Sequence, residues 1–157
     1  MKKLLLILAI APLLVMCSTK KSTTGNTTAK AQVQYKDDFR AASDTEKKGL
    51  LAKLKATGEN HSVLIFTNNF KGEKITASNA KGQLYSGYPM SNLKTGIAGS
   101  IRIDNAMDTR IYDNLTKKEA VIEAKESQKH KFIYVMKDKN AANPFVITYS
   151  NTLRPLE

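Results

Sequence analysis

Few residues in this 157-residue chain are of types that carry chemistry by themselves. There is one cysteine, Cys17, which excludes an intrachain disulfide and a cysteine-rich zinc site. The two histidines, His61 and His130, stand in no H-x-H or H-E-x-x-H arrangement, and each falls beside polar residues at the start of an expected strand. Asp104, Asp108 and Asp113, with Asn105 and Asn114 among them, gather oxygen ligands in a short stretch. Calcium takes about six to eight oxygens. The spacing is not that of an EF-hand and its glycine is missing, so these are weak calcium candidates and ordinary turn formers first. No G-x-S-x-G occurs, and Gly96-Ile97-Ala98-Gly99-Ser100 leads into a strand, where phosphate-binding loops lead into a helix. The best aromatic loop is Tyr85-Ser86-Gly87-Tyr88-Pro89, so Tyr85 and Tyr88 are the candidate ligand or partner contacts. No catalytic residue, metal centre or cofactor is expected.

Cys17 gains meaning from what precedes it. Lys2 and Lys3 are followed by an apolar run from Leu4 to Met16, 13 residues long. As a helix it would span about 20 Å, short of the roughly 30 Å bilayer core. A basic start and a short apolar segment form the layout of a secretory signal peptide. Ala9-Ile10-Ala11 has a small-x-small pattern, but a cut there would leave only Leu4 to Leu8 as the apolar region.

Leu14-Val15-Met16-Cys17 resembles the lipobox of bacterial lipoproteins, with Met16 in place of the usual small residue, a looser form found in Bacteroidota. The resemblance covers residues 1 to about 21 and is one of style with Bacteroidota lipoproteins of unknown function. It implies cleavage before Cys17, acylation of that thiol by palmitate-type chains, and attachment to the cell envelope. Two or more acyl chains suffice for stable anchoring. Ser18-Thr19-Lys20-Lys21 lacks the acidic residues of surface-exported members, which implies the outer membrane, facing the periplasm.

Residues 18–34 are rich in Thr, Ser and Lys and read as a flexible tether. The formal charge of +11 divides unevenly: residues 1–36 hold six lysines and no acid, whereas residues 60–157 hold 14 basic and 9 acidic residues. With no helix-turn-helix or RNA-binding aromatic motif, this is a basic signal and tether on a lysine-rich domain, and no nucleic-acid partner is expected.

Ser43-Asp44-Thr45-Glu46 has capping-box spacing, and Leu50, Leu51 and Leu54 follow at helical spacing, with Gly58 as the expected stop. Beyond His61 the pattern becomes β. Ser62–Thr67, Lys131–Lys137 and Pro144–Ser150 are continuous apolar strands, which implies burial on both faces. Glu73–Ser78 and Ile97–Asp104 alternate, Gln83–Ser86 pairs back across a turn, and Thr109–Tyr112 and Glu119–Lys125 complete a set of about eight strands. In the tail, Leu153 and Leu156 are expected to pack back on the core and Arg154 to pair with a carboxylate.

The expected architecture is therefore a signal peptide (1–16), a lipid-anchored tether (17–43), a short helix (44–58) and a mainly β domain (59–157). That domain is a single antiparallel β-sandwich or partly open barrel. The expected function is that of a non-enzymatic, lipid-anchored protein whose β domain binds an envelope protein or glycan. The alternative is a sugar-binding accessory domain or small hydrolase, with Asp104, Asp108 and the Tyr85/Tyr88 loop lining one cleft.

Overall fold

The structure is a computed structural model that describes residues 29–156; the expected signal peptide, Cys17 and the first part of the tether lie outside the described residues. The described residues form a mainly β sandwich of nine strands in two sheets, with two helices. In order these are β1 (Gln32–Tyr35), α1 (Asp44–Lys53), β2 (His61–Phe66), β3 (Ile75–Asn79), β4 (Gly82–Gly87), β5 (Gly99–Asp104), β6 (Thr109–Asp113), β7 (Lys118–Ile122), α2 (Ala124–Ser127), β8 (Phe132–Lys137) and β9 (Phe145–Ser150). The larger sheet runs β1-β9-β8-β2-β5 and the smaller β4-β3-β6-β7.

The two-sided strands owe their composition to a third layer. Leu64, Phe66, Ile133, Val135, Phe145 and Ile147 project from the larger sheet into the sandwich, where they meet Ile75, Ile111 and Ile122 of the smaller one. The alternate residues Val63, Ile65, Phe132 and Tyr134 face the other way and are covered by Leu50, Leu51 and Leu54 of the helical segment and by Leu153 and Leu156. With a period of two, both residue sets must then be apolar. Arg154, expected to pair with a carboxylate, lies between the rings of Phe39 (4.2 Å) and Tyr134 (4.6 Å), a cation–π clamp under the tail.

Helix α1 starts on the expected capping box: Glu46 N–H donates to Ser43 Oγ, and Ser43 N–H to Glu46 Oε2. It ends before Gly58. Lys55 takes the left-handed conformation (φ +52°) and Ala56 N–H reaches back to Leu51 O, which closes the helix first.

Three expectations change. The larger sheet is mixed, because β2 pairs β8 and β1 pairs β9 in parallel, each through a crossover that passes by way of the smaller sheet. Glu119–Lys125 is not one strand: β7 stops at Ile122 and the short helix α2 follows. Residues 17–43, expected as one tether, include an ordered element, since Gln32–Tyr35 forms an edge strand. Its small apolar content is supplemented by what β9 provides. Gln34 Nε2 donates to Thr148 Oγ1 (2.8 Å), Tyr35 stacks on Tyr149 (5.6 Å between centroids), and Asp37 accepts from Ser150 Oγ, Asn151 N–H and Thr152 N–H.

The sheets are joined at one end by ions. Lys137, last in β8, donates through Nζ to Asp113 Oδ2 (2.7 Å) at the end of β6 and to Glu73 ahead of β3. Each carboxylate also orders a turn: Asp113 Oδ1 accepts from Leu115 N–H and Thr116 N–H, and Glu73 Oε2 from Lys71 N–H. Burial pushes both carboxyl pKa values up, but the Lys137 ammonium and these N–H donors outweigh it and hold them below the usual range. Burial likewise disfavours the Lys137 charge, and the two carboxylates more than offset that, raising its pKa.

Lys137→Met leaves two buried carboxylates without their cation, and chemical denaturation is expected to show a loss of about 3–5 kcal/mol. Because the folded carboxyl pKa values are depressed, their contribution is present above the unfolded values near about 4 and is lost as pH falls through the lower folded values. The raised Lys137 pKa keeps its contribution until pH climbs past about 10.5. Urea midpoints measured from pH 2 to pH 7 should fall steeply on the acid side in the natural protein and less in the variant.

Candidate functional site: the groove between the edges of β1 and β7

Strands β1 and β7 are the outermost strands of their sheets on the same side of the sandwich, and among the described residues neither outer edge pairs with another strand. Between them runs a groove formed by two adjoining cavities of about 280 and 260 Å³. Ala31, Val33 and Tyr35 make one wall, the β7 edge from Glu119 to Glu123 the other, and Ile147 and Tyr149 the floor; on β7, Ala120 and Ile122 face the interior, whereas Val121 lies beside exposed Arg110 on the outer face. Val33, Tyr35 and Val121 are exposed, by 48%, 59% and 39%. Val33 pairs with Ile147 and Tyr35 with Tyr149, so both point toward the sandwich interior yet remain open to solvent. The sandwich is unfilled along this side.

One end of the groove is tied shut. Asn143 Nδ2 lies 2.8 Å from both Ala29 O and Glu119 O, bridging the approach to β1 with β7. Its Oδ1 accepts from Phe145 N–H, which fixes the amide. At the other end the ring of His130 packs against Tyr35 (5.5 Å) and Tyr149 (5.4 Å). His130 Nδ1 donates to Glu126 O (2.9 Å). The buried Tyr149 hydroxyl accepts from Glu123 N–H, and burial pushes its pKa up to about 12, so the phenol stays neutral at the groove floor. Burial also raises the Glu126 carboxyl, but the bond from Lys129 wins and holds it below its ordinary value. The arrangement offers unpaired backbone on both sides, apolar side chains between, and fixed polar groups at each end, which suits an extended peptide.

The residues singled out from sequence fall elsewhere and apart. Tyr85 packs on Phe66 (5.3 Å) in the core, whereas Tyr88 is exposed beyond the end of β4; the odd spacing along the strand sends them to different environments. Asp104 pairs with Lys81 (2.9 Å) and accepts from Ala106 N–H, and the Lys81 bond lowers its pKa. Asp108 accepts from Ala124 N–H (2.7 Å). Asp113 lies in the ion cluster at the opposite end of the sandwich. The calcium candidates thus do not converge, and among the described residues no three His, Cys, Asp or Glu side chains gather as a ligand set. The cleft of the alternative expectation is likewise split, since Asp104 and Asp108 sit at one end and Tyr88 at the other.

The two histidines, 69 positions apart in sequence, line one recess of about 320 Å³ with Ser62, Asn105 and Lys131. Ser62 Oγ lies 2.8 Å from Ser127 O and 3.0 Å from His130 O, which commits its proton to backbone carbonyls rather than to a base. The groove residues Val33, Tyr35 and Val121 had no signal in the sequence beyond the alternation of single exposed hydrophobics, because β1 pairs with a strand 114 positions away.

Asn143→Ala removes the donor shared by two carbonyls. A stability loss of about 1–3 kcal/mol is expected, and hydrogen exchange should speed up at β1 before the rest of the sheet. No known protein family matches the chain, and no curated protein is similar to it.

Proposed function

We propose that this is a lipid-anchored cell-envelope protein, attached through acylated Cys17 to the outer membrane on its periplasmic side. Its β domain acts as a non-enzymatic binding module that takes an extended segment of another envelope component into the β1/β7 groove. The observation that carries the binding reading is the pair of open backbone edges on one side of the sandwich, with exposed Val33 and Tyr35 between them. An added strand satisfies edge N–H and C=O groups, and the apolar wall residues supply alternate side-chain pockets. The anchoring reading is supported by the Lys2-Lys3 start, the apolar run to Met16 and the lipobox-like Leu14-Val15-Met16-Cys17.

Intact mass of the native protein extracted from membranes checks the anchor. A chain beginning at Cys17 and carrying two or three acyl chains is expected; a chain beginning elsewhere without lipid overturns it. For the groove, a photoreactive residue at position 33 is expected to cross-link one envelope component. Val121→Arg, at an exposed position, should lower that yield by about tenfold or more while leaving the unfolding midpoint unchanged. Equal cross-linking in the two proteins overturns the groove as the binding site.

A further inference from the structure

The two ends of the sandwich differ in character. One end carries the loops after β2, β4, β6 and β8, and there the chain also enters at Ala29, which Asn143 holds beside β7. Four large apolar side chains stand out from that end: Tyr88, Met90, Leu93 and Leu115, each between 68% and 102% exposed. Scattered single hydrophobics are ordinary on a surface, but these four share one end and sit among cations. Lys30, Lys71, Lys74, Lys94, Lys117 and Lys139 are all exposed there, and none has a carboxylate within ion-pair distance among the described residues. Two of the three acids of that end, Glu73 and Asp113, are turned inward and held by Lys137, which leaves Asp138 as the one surface carboxylate among six exposed lysines. At the opposite end the acids Asp104 and Glu126 are paired in place with Lys81 and Lys129, so no unopposed positive field builds up.

The most exposed of the four is also the most firmly presented. Leu93 lies on a turn in which Asn92 Oδ1 accepts from Lys94 N–H and Thr95 N–H, and Gly96 N–H donates to Asn92 O. Gly96 has φ +70°, and a Cβ there would lie 2.5 Å from Asn68 Oδ1, so the turn requires glycine. Met90 is fixed by a backbone bridge to Lys71.

We infer that this end of the domain docks on an anionic lipid bilayer, with Leu93, Met90, Tyr88 and Leu115 entering the headgroup boundary and the surrounding lysines meeting lipid phosphates. Apolar tips ringed by lysine are the two components of interfacial binding, area buried and attraction to anionic lipid. The inference rests on the anchored reading for its orientation. Eleven residues, 18–28, separate Cys17 from Ala29, and a chain of that length reaches at most about 40 Å. An acyl group at Cys17 therefore tethers the domain by this end. The β1/β7 groove runs away from it, so a docked domain holds its binding groove upright and open to partners.

The chain has no tryptophan, so a single introduced one reports only its own position. Leu93→Trp and Ala80→Trp place the probe at the docking end and at the opposite β3–β4 turn, both at exposed positions. The full chain is reconstituted on phosphatidylethanolamine vesicles with and without one quarter phosphatidylglycerol. On the anionic vesicles the emission of the Leu93→Trp protein is expected to shift to the blue and be quenched by brominated lipid, and that of the Ala80→Trp protein to stay unchanged. Adding Lys94→Gln and Lys117→Gln to the Leu93→Trp protein should reduce the ratio of docked to undocked protein by about fivefold per lysine. Emission of the Leu93→Trp protein that stays at its solvent-exposed wavelength while the protein is vesicle-bound overturns the docking face, as does an equal shift in the Ala80→Trp protein. Acyl chains missing from the intact mass sink the anchor alone; a blue shift of the Leu93→Trp protein in that same preparation still upholds the face.

Discussion

One ammonium group fixes how the two sheets of this sandwich meet. Lys137 ends a central strand of the larger sheet, and its two carboxylate partners belong to the end of β6 and to the loop ahead of β3. Apolar burial is non-directional, so hydrophobic area by itself defines the meeting of two sheets less sharply than a paired charge does. Burying an ammonium among two carboxylates imposes geometry, because each departure leaves a charge unpaired in a poor solvent. The same carboxylates order the turns at Leu115 and Lys71, so the ion cluster also shapes the loops from which the exposed lysines and apolar tips project.

The asymmetry of the molecule follows from where its acids go. At the end holding Lys137, two of three carboxylates are drawn inward and lysines are left outside, whereas at the other end acids and bases pair on the surface. The open side of the sandwich is separate from both. It exists because each sheet terminates there in a short edge strand, β1 and β7, and because Asn143 spans the gap at one end only.

The β elements were readable from residue 60 onward because alternation and continuous apolar runs report burial directly, and all eight expected strands are present. The capping box at Ser43 was legible for the same reason: its partners are three positions apart. What escaped was everything that depends on distant partners. Gln32–Tyr35 looks like linker until β9 lies beside it, and parallel pairing of β2 with β8 leaves no mark on either strand. The site behaved likewise. Tyr85 and Tyr88 are neighbours in sequence but part at the end of a strand, while His61 and His130 are distant in sequence and share a recess. The groove residues are unremarkable by type, and only the two sheet edges give them a common purpose.

The parallel pairing of β1 with β9 has a mechanical consequence. The described chain enters at the start of β1, so a pull directed along that strand loads its ladder with β9 lengthwise rather than across it. A strand pulled across its ladder unzips one bond at a time, whereas one pulled along its axis strains every bond together. The four paired residues of β1 and the three donors gathered on Asp37 at its far end therefore share the load, and a short edge strand becomes a grip that resists tearing.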